Sequence, residues 1–457
     1  MNQFSILVLM LLMLNGSCYL LLASILATEF GDRQIKSYYY GYMLCAYPLA
    51  AILWWFLVPS LANKIGRSKV LYTGTFFMFV SMSLSSVMKY IEDDDMMVMY
   101  GIFIRVIQGT FKAFIQTSSF TVLIIMNPRE KLRYIGLAEW SLGIGNAIGP
   151  LVGAFIYSFF GFTSMFVAAG CMYLLFLPIL IYTMPSGIDD NDEATERLAD
   201  NQDPEMEMQG SAEKTISYCD LFSDPIIFLV ALSQTVVCVG YQYYEPVLSF
   251  RLEDFIESVR IKGLIFGTLV LGYSLMWFLT PFFSKYINQV TLLSGAIFMV
   301  GVFNFLIGPS ILLPDSIFIL IAGLFLSGGA IGVAIIPQIP TMIKRCEKKF
   351  PAQSRRASDM WSAIFNGMTW IGQLLGPLYG GYLYYLVGFR SLWDISGIIF
   401  ISYSVALYFL GHYFSKEPNQ NIDSTHSTRT QLIQNRKESK TRSKFKPSSN
   451  TTQIGDQ

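Results

Sequence analysis

Four ionisable side chains stand inside long apolar runs of this 457-residue chain: Arg105, Lys112, Glu139 and Glu245. Left unpaired at the centre of a bilayer, each costs about 2.5–3.5 kcal/mol, and all four together on the order of 10 kcal/mol, comparable to the stability of a whole domain. They must be paired, hydrated in a cavity, or both. A carboxylate in such surroundings is suited to exchanging a proton against a cation, because only its neighbours hold its charge. Glu245 precedes Pro246, which loosens the backbone there. Arg105 lies about 13 Å from one end of its run and Glu245 roughly 8–15 Å from the same side, so their depths are compatible. Lys112, seven residues beyond Arg105, shares nearly the same helix face. Glu139 lies about 8 Å in from the end of the next run, and Lys112–Glu139 reads as a structural pair. Arg105 and Glu245 also have a purely structural reading, as charges that organise helices. Tyr241, Tyr243 and Tyr244 cluster beside Glu245. Their rings suit cation–π contact with an amine, or an interfacial belt. Asp394 reads as an interface residue.

The elements that must position these groups are spans. Hydrophobic residues make up 53% of the chain and charged ones 14%, against roughly 25% charged in ordinary soluble domains. A single soluble core could not hide that much apolar surface. Twelve runs are long enough to cross a bilayer: 4–28, 38–62, 70–88, 96–126, 134–159, 162–184, 225–250, 263–284, 290–312, 316–342, 360–386 and 391–414. They are continuously apolar rather than alternating, so they predict helices, not barrel strands. The first run is too long for a signal-peptide core and reads as a retained helix.

With the N-terminus cytoplasmic and the spans alternating, the cytoplasmic segments hold 23 Lys/Arg and the opposite ones 7. Both termini are therefore predicted inside. The loop carrying Arg251, Arg260 and Lys262 is the one weak dissent. Residues 185–224 hold twelve Asp/Glu and two Lys/Arg, the composition of a disordered acidic linker. The layout predicted is a six-helix bundle over 1–184, that linker over 185–224, a second six-helix bundle over 225–414, and a polar, basic, disordered tail over 415–457.

One sentence is written twice. "GNAIGPLVGAFIYSFFGF" begins at Gly145 and "GQLLGPLYGGYLYYLVGF" at Gly372, with eight of eighteen positions identical. Gly145, Gly149 and Gly153 recur every four residues, as do Gly372, Gly376 and Gly380, making one smooth helix face for close backbone approach. Pro150 and Pro377 each remove a ladder bond and favour a kink. The copies fall in the fifth and eleventh spans, equivalent places in two halves, which points to halves that rock about a site between them.

At these residues the chain resembles the major facilitator superfamily. The fifth-span motif of its proton-coupled antiporters, a Gly-rich run ending in Gly-Pro-x-x-Gly, is similar to Gly145 through Gly153. The fourth-span Arg-x-x-Gln-Gly motif is similar to Arg105-Val-Ile-Gln108-Gly109. "PSLANKIGRSK" at 59–69 resembles the loop motif between spans two and three, keeping Leu61, Ala62, Gly66, Arg67 and Lys69. Pro59 stands where the family has Gly, and Asn63 where it has the Asp that helps lock the loop. Further likeness is to the vesicular amine transporters, particularly the polyamine branch, in "GLAEWSLGIGNAIGPLVGAFIY", "YEPVLSFRLEDF", "GVAIIPQIP" and "GPLYGGYLY".

The resemblance implies an all-α integral membrane fold of twelve transmembrane helices in two six-helix halves. It implies that the fourth and seventh helices line a central cavity, with Arg105 and Glu245 facing it one from each half. It also implies alternating access, and a vesicular or lysosomal membrane, with the plasma membrane as the other placement. The activity expected is proton-coupled antiport of a small organic cation, a polyamine or monoamine. The alternatives are a facilitator or proton-coupled transporter of organic anions or sugars, with Arg105 and Lys112 as binding charges, and a non-transporting receptor or scaffold. No nucleophile–base or metal constellation marks an enzyme, and six scattered cysteines form no framework. The expected partners are a small-molecule substrate, protons and the lipid bilayer, with no cofactor, metal or nucleic acid, and the chain acting as a monomer.

Overall fold

In the computed structural model the described residues are 2–22, 25, 30, 35–127, 130–185, 188–189, 216–283, 286–310, 313–336, 338–350 and 354–416. Helices account for nearly all of them, and no strand occurs among them. Met1–Phe409 forms one compact unit and contains every residue discussed below. Of the second unit, Leu410–Gln457, the described part is the helical stretch 410–416.

The first half is built from α1 (Gln3–Leu20), α2 (Ser37–Ile65), α3 (Arg67–Ser85), α4 (Asp94–Met126) and the long α5 (Lys131–Thr183). After the short α6 (Tyr218–Phe222), the second half follows: α7 (Pro225–Gln242), α8 (Glu245–Glu253), α9 (Val259–Phe283), α10 (Gln289–Ile307), α11 (Ile317–Ile335), α12 (Gln338–Lys349) and α13 (Ser354–Lys416). Nine helical segments among the described residues are long and apolar enough to cross a membrane. Two of these, in α5 and α13, hold two spans each. The 29-residue α2, amply long, is the remaining span.

Gly161 in α5 and Gly388 in α13 mark where each long helix turns back, with φ 78° and 77° and ψ 179° at both. That region of backbone space is nearly closed to residues with a Cβ. The matching angles show that the internal repeat extends to the hairpin after each Gly-Pro run.

The seventh span is broken. α7 ends at Gln242, Tyr243 and Tyr244 form a turn, and α8 restarts at Glu245 with Pro246 in its first turn. Pro246 has no N–H to return to the carbonyl of Gln242, so the ladder cannot run through. A broken span within the membrane is tolerated where the freed groups are buried in protein.

Of the predicted linker, residues 186–187 and 190–215 lie outside the described residues, but Asp189 and the stretch 216–224 do not. Asp224 caps α7 through hydrogen bonds from the N–H groups of Ile226 and Ile227 (2.9 and 3.2 Å). It is also bonded by Arg345 (3.1 Å) and Lys349 (2.9 Å) of α12. In the first half, Asp189 takes the Ser68 N–H (2.9 Å) at the start of α3.

Candidate functional site

Glu245 is completely buried. The Tyr19 hydroxyl, from α1 of the opposite half, donates to its Oε2 at 3.1 Å. The Gln242 amide nitrogen donates to the same carboxylate. No Lys or Arg lies within ion-pair distance of it among the described residues. Arg105 is also buried, and its guanidinium donates to the backbone carbonyl of Tyr19 at 3.2 Å and to Gln108 Oε1 at 3.4 Å. The Gln108 amide can be oriented from its neighbours. Ser85 spends its proton on the Ser81 carbonyl (3.0 Å), so it must accept from Gln108 Nε2 (2.8 Å), which leaves Oε1 for Arg105. Arg105 and Glu245 thus meet at the two ends of Tyr19 rather than directly.

Lys112 projects from the same face of α4 into a box of rings. Its Nζ lies 5.2 Å from the Tyr19 ring, 5.0 Å from Tyr47 and 4.5 Å from Trp370, the last contributed by the other half. Face-on aromatic contact is worth ~2 kcal/mol or more to a desolvated cation. Lys112 also lines a cavity of about 160 Å³ between the halves. Glu139, Gln116 and Asn146 line it from the first half, with Gln234, Tyr241 and Gln373 from the second. Lys112 and Glu139 therefore reach one cavity, with no ion pair between them among the described residues. Arg105 and Glu245 do not line it in this conformation; the Tyr19 ring against which Lys112 rests holds Glu245 by its hydroxyl. Of the three tyrosines beside Glu245, Tyr241 reaches the cavity. Tyr243 packs on Trp393 (ring centroids 4.7 Å) and Tyr244 on Phe266 (5.8 Å), both within the second half.

The repeated glycine faces do the same work in each half. Gly145 and Gly149 lie against the α1 backbone at Met13 and Ser17, and Gly153 against the Leu21 side chain. Gly372, Gly376 and Gly380 lie against Thr235, Gln242 and Tyr243. The other side of each Gly-Pro kink meets the opposite half. A Cβ at Gly41 would come within 2.7 Å of the Pro377 carbonyl oxygen, and one at Gly263 within 3.0 Å of the Pro150 carbonyl oxygen. Ser37 adds a hydrogen bond to the Gly381 carbonyl (3.1 Å), Arg260 one to Ser158 (2.7 Å), and the Tyr40 ring packs at a tilt on Phe250 (centroids 5.0 Å). The halves are therefore closed on each other at the Ser37 end.

At the opposite end, Gly66 adopts φ 102° and a Cβ there would meet the Asp189 carboxyl at 3.0 Å. Arg67 donates to the Ile188 carbonyl at 3.0 Å. Of Asn63 the backbone alone is described, in the last turn of α2; its side chain lies outside the described residues. The basic residues that dissented in the charge count all have partners, Arg251 and Lys262 within the second half and Arg260 across the seam. Arg251 pairs with Asp254 (2.7 Å) and Asp315, Lys262 with Glu253 (2.5 Å), and Arg260 lies 4.1 Å from the Phe159 ring.

Sequence reasoning did not find Tyr19, Tyr47 or Trp370, since an aromatic in an apolar run reads as core. Gln116, Asn146, Gln234 and Gln373 did leave a signal: amides inside spans are themselves uncommon and seek partners.

Twelve spans in two structurally repeated halves, a shared cavity and a carboxylate held across the seam are the architecture of a secondary transporter. The chain belongs to the Major Facilitator Superfamily, whose family model matches residues 5–350 and 230–446. It is a multi-pass membrane transporter, not an enzyme. It is similar to the MFS-type transporter SLC18B1 of Homo sapiens, with 26% identity over 400 residues, 83% of this chain and 82% of that one. It is also similar to the synaptic vesicular amine transporter of Bos taurus, with 24% identity over 383 residues, 81% of this chain and 66% of that one. Among solved structures, a D-xylose–proton symporter superposes with TM-score 0.66 at 13% identity, over 88% of this chain and 96% of that one. The nucleoside transporter NupG gives 0.64 at 16%, over 91% and 100%. At that identity the two structures establish the fold alone.

Proposed function

We propose that this transporter exchanges protons for a small organic cation, a polyamine or monoamine, with Glu245 as the group for which proton and cation compete. The observation that carries the reading is the setting of Glu245. It is a fully buried carboxylate at the break of a span, held by neutral donors from both halves and by no direct cationic partner. Such a group can take a proton or an organic cation, but not both at once. Opening the Ser37 end must separate Tyr19 and Glu245, which belong to different halves, and so exposes the carboxylate when the access changes side. Glu139 in the cavity supplies a second negative charge on the path. Lys112 and Glu139 both line the cavity and offset each other in charge, so the cation reading is carried by Glu245 and by the likeness to an amine transporter.

The likeness to a vesicular amine transporter supports an amine as substrate and an endomembrane as location. The excess of basic residues in the segments next to Gly66 and Arg345 supports cytoplasmic termini. On that orientation the closed end faces away from the cytoplasm. The transporter is proposed to work as a monomer.

The test is uptake of labelled spermidine and serotonin by proteoliposomes under an imposed proton gradient of either sign. The expected result is accumulation of at least one amine on the acidic side, lost in Glu245→Gln. Accumulation of an organic anion or sugar instead, or undiminished proton dependence in Glu245→Gln, would overturn it.

A further inference from the structure

Four amide side chains lining the cavity each carry a buried oxygen with no hydrogen-bond partner: Gln116, Asn146, Gln234 and Gln373. Gln116 and Gln234 are buried, 5% and 1% exposed. The network fixes the sense of the Gln234 amide. Thr369 gives its proton to the Phe365 carbonyl (2.9 Å), so toward Gln234 it can only accept, and Nε2 of Gln234 donates to it at 2.9 Å. Its Oε1 is consequently the end left over, a buried acceptor without a donor on a residue that lines the cavity. A buried acceptor without a donor costs about 1–3 kcal/mol, which a ligand recovers only by bringing a donor.

The cavity's other recognition element is already occupied. The ring faces of Tyr19, Tyr47 and Trp370 hold the Lys112 ammonium, so a second cation entering the same space meets oxygen atoms instead. Those oxygens come from α4 (Gln116), α5 (Glu139, Asn146), α7 (Gln234) and α13 (Gln373), and thus from both halves. Aromatic boxes accept quaternary ammonium as readily as primary, because the attraction needs no proton. Carbonyl oxygens behave differently and discriminate by N–H.

We propose that Gln116, Asn146, Gln234 and Gln373, together with the Glu139 carboxylate, form a receptor selective for N–H-bearing ammonium groups over quaternary ones of equal charge. This rests on the organic-cation reading above and assigns the residues that set its specificity. Primary and secondary ammonium groups satisfy the oxygens in turn, whereas a methylated nitrogen brings charge without donors and leaves them unpaired.

The experiment is calorimetric titration of the purified full-length protein in lipid nanodiscs with putrescine and with its fully N-methylated bis-quaternary analogue. The unsubstituted protein should bind putrescine at least about tenfold more tightly. Gln234→Met and Gln116→Met keep chain length and volume but remove the acceptor, and each should erase most of that preference while leaving affinity for the quaternary analogue unchanged. Gln234→Glu, which retains an acceptor, should keep the preference and controls for misfolding. Equal binding of the two ligands, no binding of putrescine, or an unchanged preference in both Met variants would overturn the receptor. A glutamine-dependent preference without gradient-driven amine uptake would leave the receptor standing and overturn the antiport reading instead.

Discussion

Tyr19 touches both buried charges: its carbonyl accepts from Arg105 and its hydroxyl donates to Glu245. Replacing it by Phe removes the donor to Glu245 while keeping the ring that faces Lys112. A hydrogen bond to a charged group is worth about 1.5–3 kcal/mol, so Tyr19→Phe should lower proton-coupled uptake by about ten- to a hundredfold. Its thermal unfolding should stay close to that of the unsubstituted protein. A large loss of thermal stability with uptake per folded molecule unchanged would make the hydroxyl structural. The charges themselves are legible in the sequence, because Arg105, Lys112, Glu139 and Glu245 are conspicuous in apolar runs. Their partners are not. Depth along a helix paired Arg105 with Glu245, but depth carries no information about the side chains that stand between. The ring box around Lys112 is assembled from three helices in two halves, and no spacing within one span reveals it.

At the scale of elements, the two Gly-Pro runs each have one face on the first span of their own half and another against the opposite half. Gly149→Leu and Gly376→Leu insert side chains where backbone lies, and both should abolish uptake, with lowered thermal stability. Gly41→Val and Gly263→Val act at the seam instead. They should leave each half folded and hold the Ser37 end apart, which a membrane-impermeant thiol reagent would read as increased labelling of a cysteine placed at Ser37. Unchanged labelling would contradict this account of the seal. The repeat was legible, since identical letters at fixed spacing need no tertiary knowledge, and the hairpins at Gly161 and Gly388 fall where the spans were predicted to divide. The acid beside the Gly66 turn was not. Asn63 gave no reason to look for one, and Asp189 comes from 121 residues away. Asp224 ends the linker in the same manner at α7. Burial opposes its charge, but the Lys349 and Arg345 cations and the helix N–H groups prevail and hold it below the ordinary aspartate value. A depressed pKa contributes stability that is fully present above about pH 4, the unfolded value, and is lost as pH falls through the folded one. Asp224→Asn keeps the cap and loses the ion pairs, so it should unfold at a lower temperature at neutral pH and show a flatter acid dependence. Asp224→Ala loses both and should cost about 1–3 kcal/mol more than Asn.

For the molecule as a whole, composition alone dictated a bilayer solvent, and the internal repeat dictated two halves, so the superfamily fold was visible before any coordinate. What the sequence could not disclose is the conformation. The halves are shut at the Ser37 end, which removes Arg105 and Glu245 from the cavity they were expected to line and leaves Lys112, Glu139 and the amides there. On the proposed mechanism the rocking that exposes Glu245 takes apart the Tyr19 hydrogen bond and the Gly41 and Gly263 contacts together, and this is how protonation would be coupled to access. The central claim is therefore one of direction: a cation moving one way must move protons the other. The measurement is lumenal pH in proteoliposomes holding a trapped indicator, with no gradient imposed, when spermidine is added outside. The account predicts lumenal alkalinisation that is abolished by Glu245→Gln. Lumenal acidification on amine entry, or amine entry with no proton movement, would contradict it.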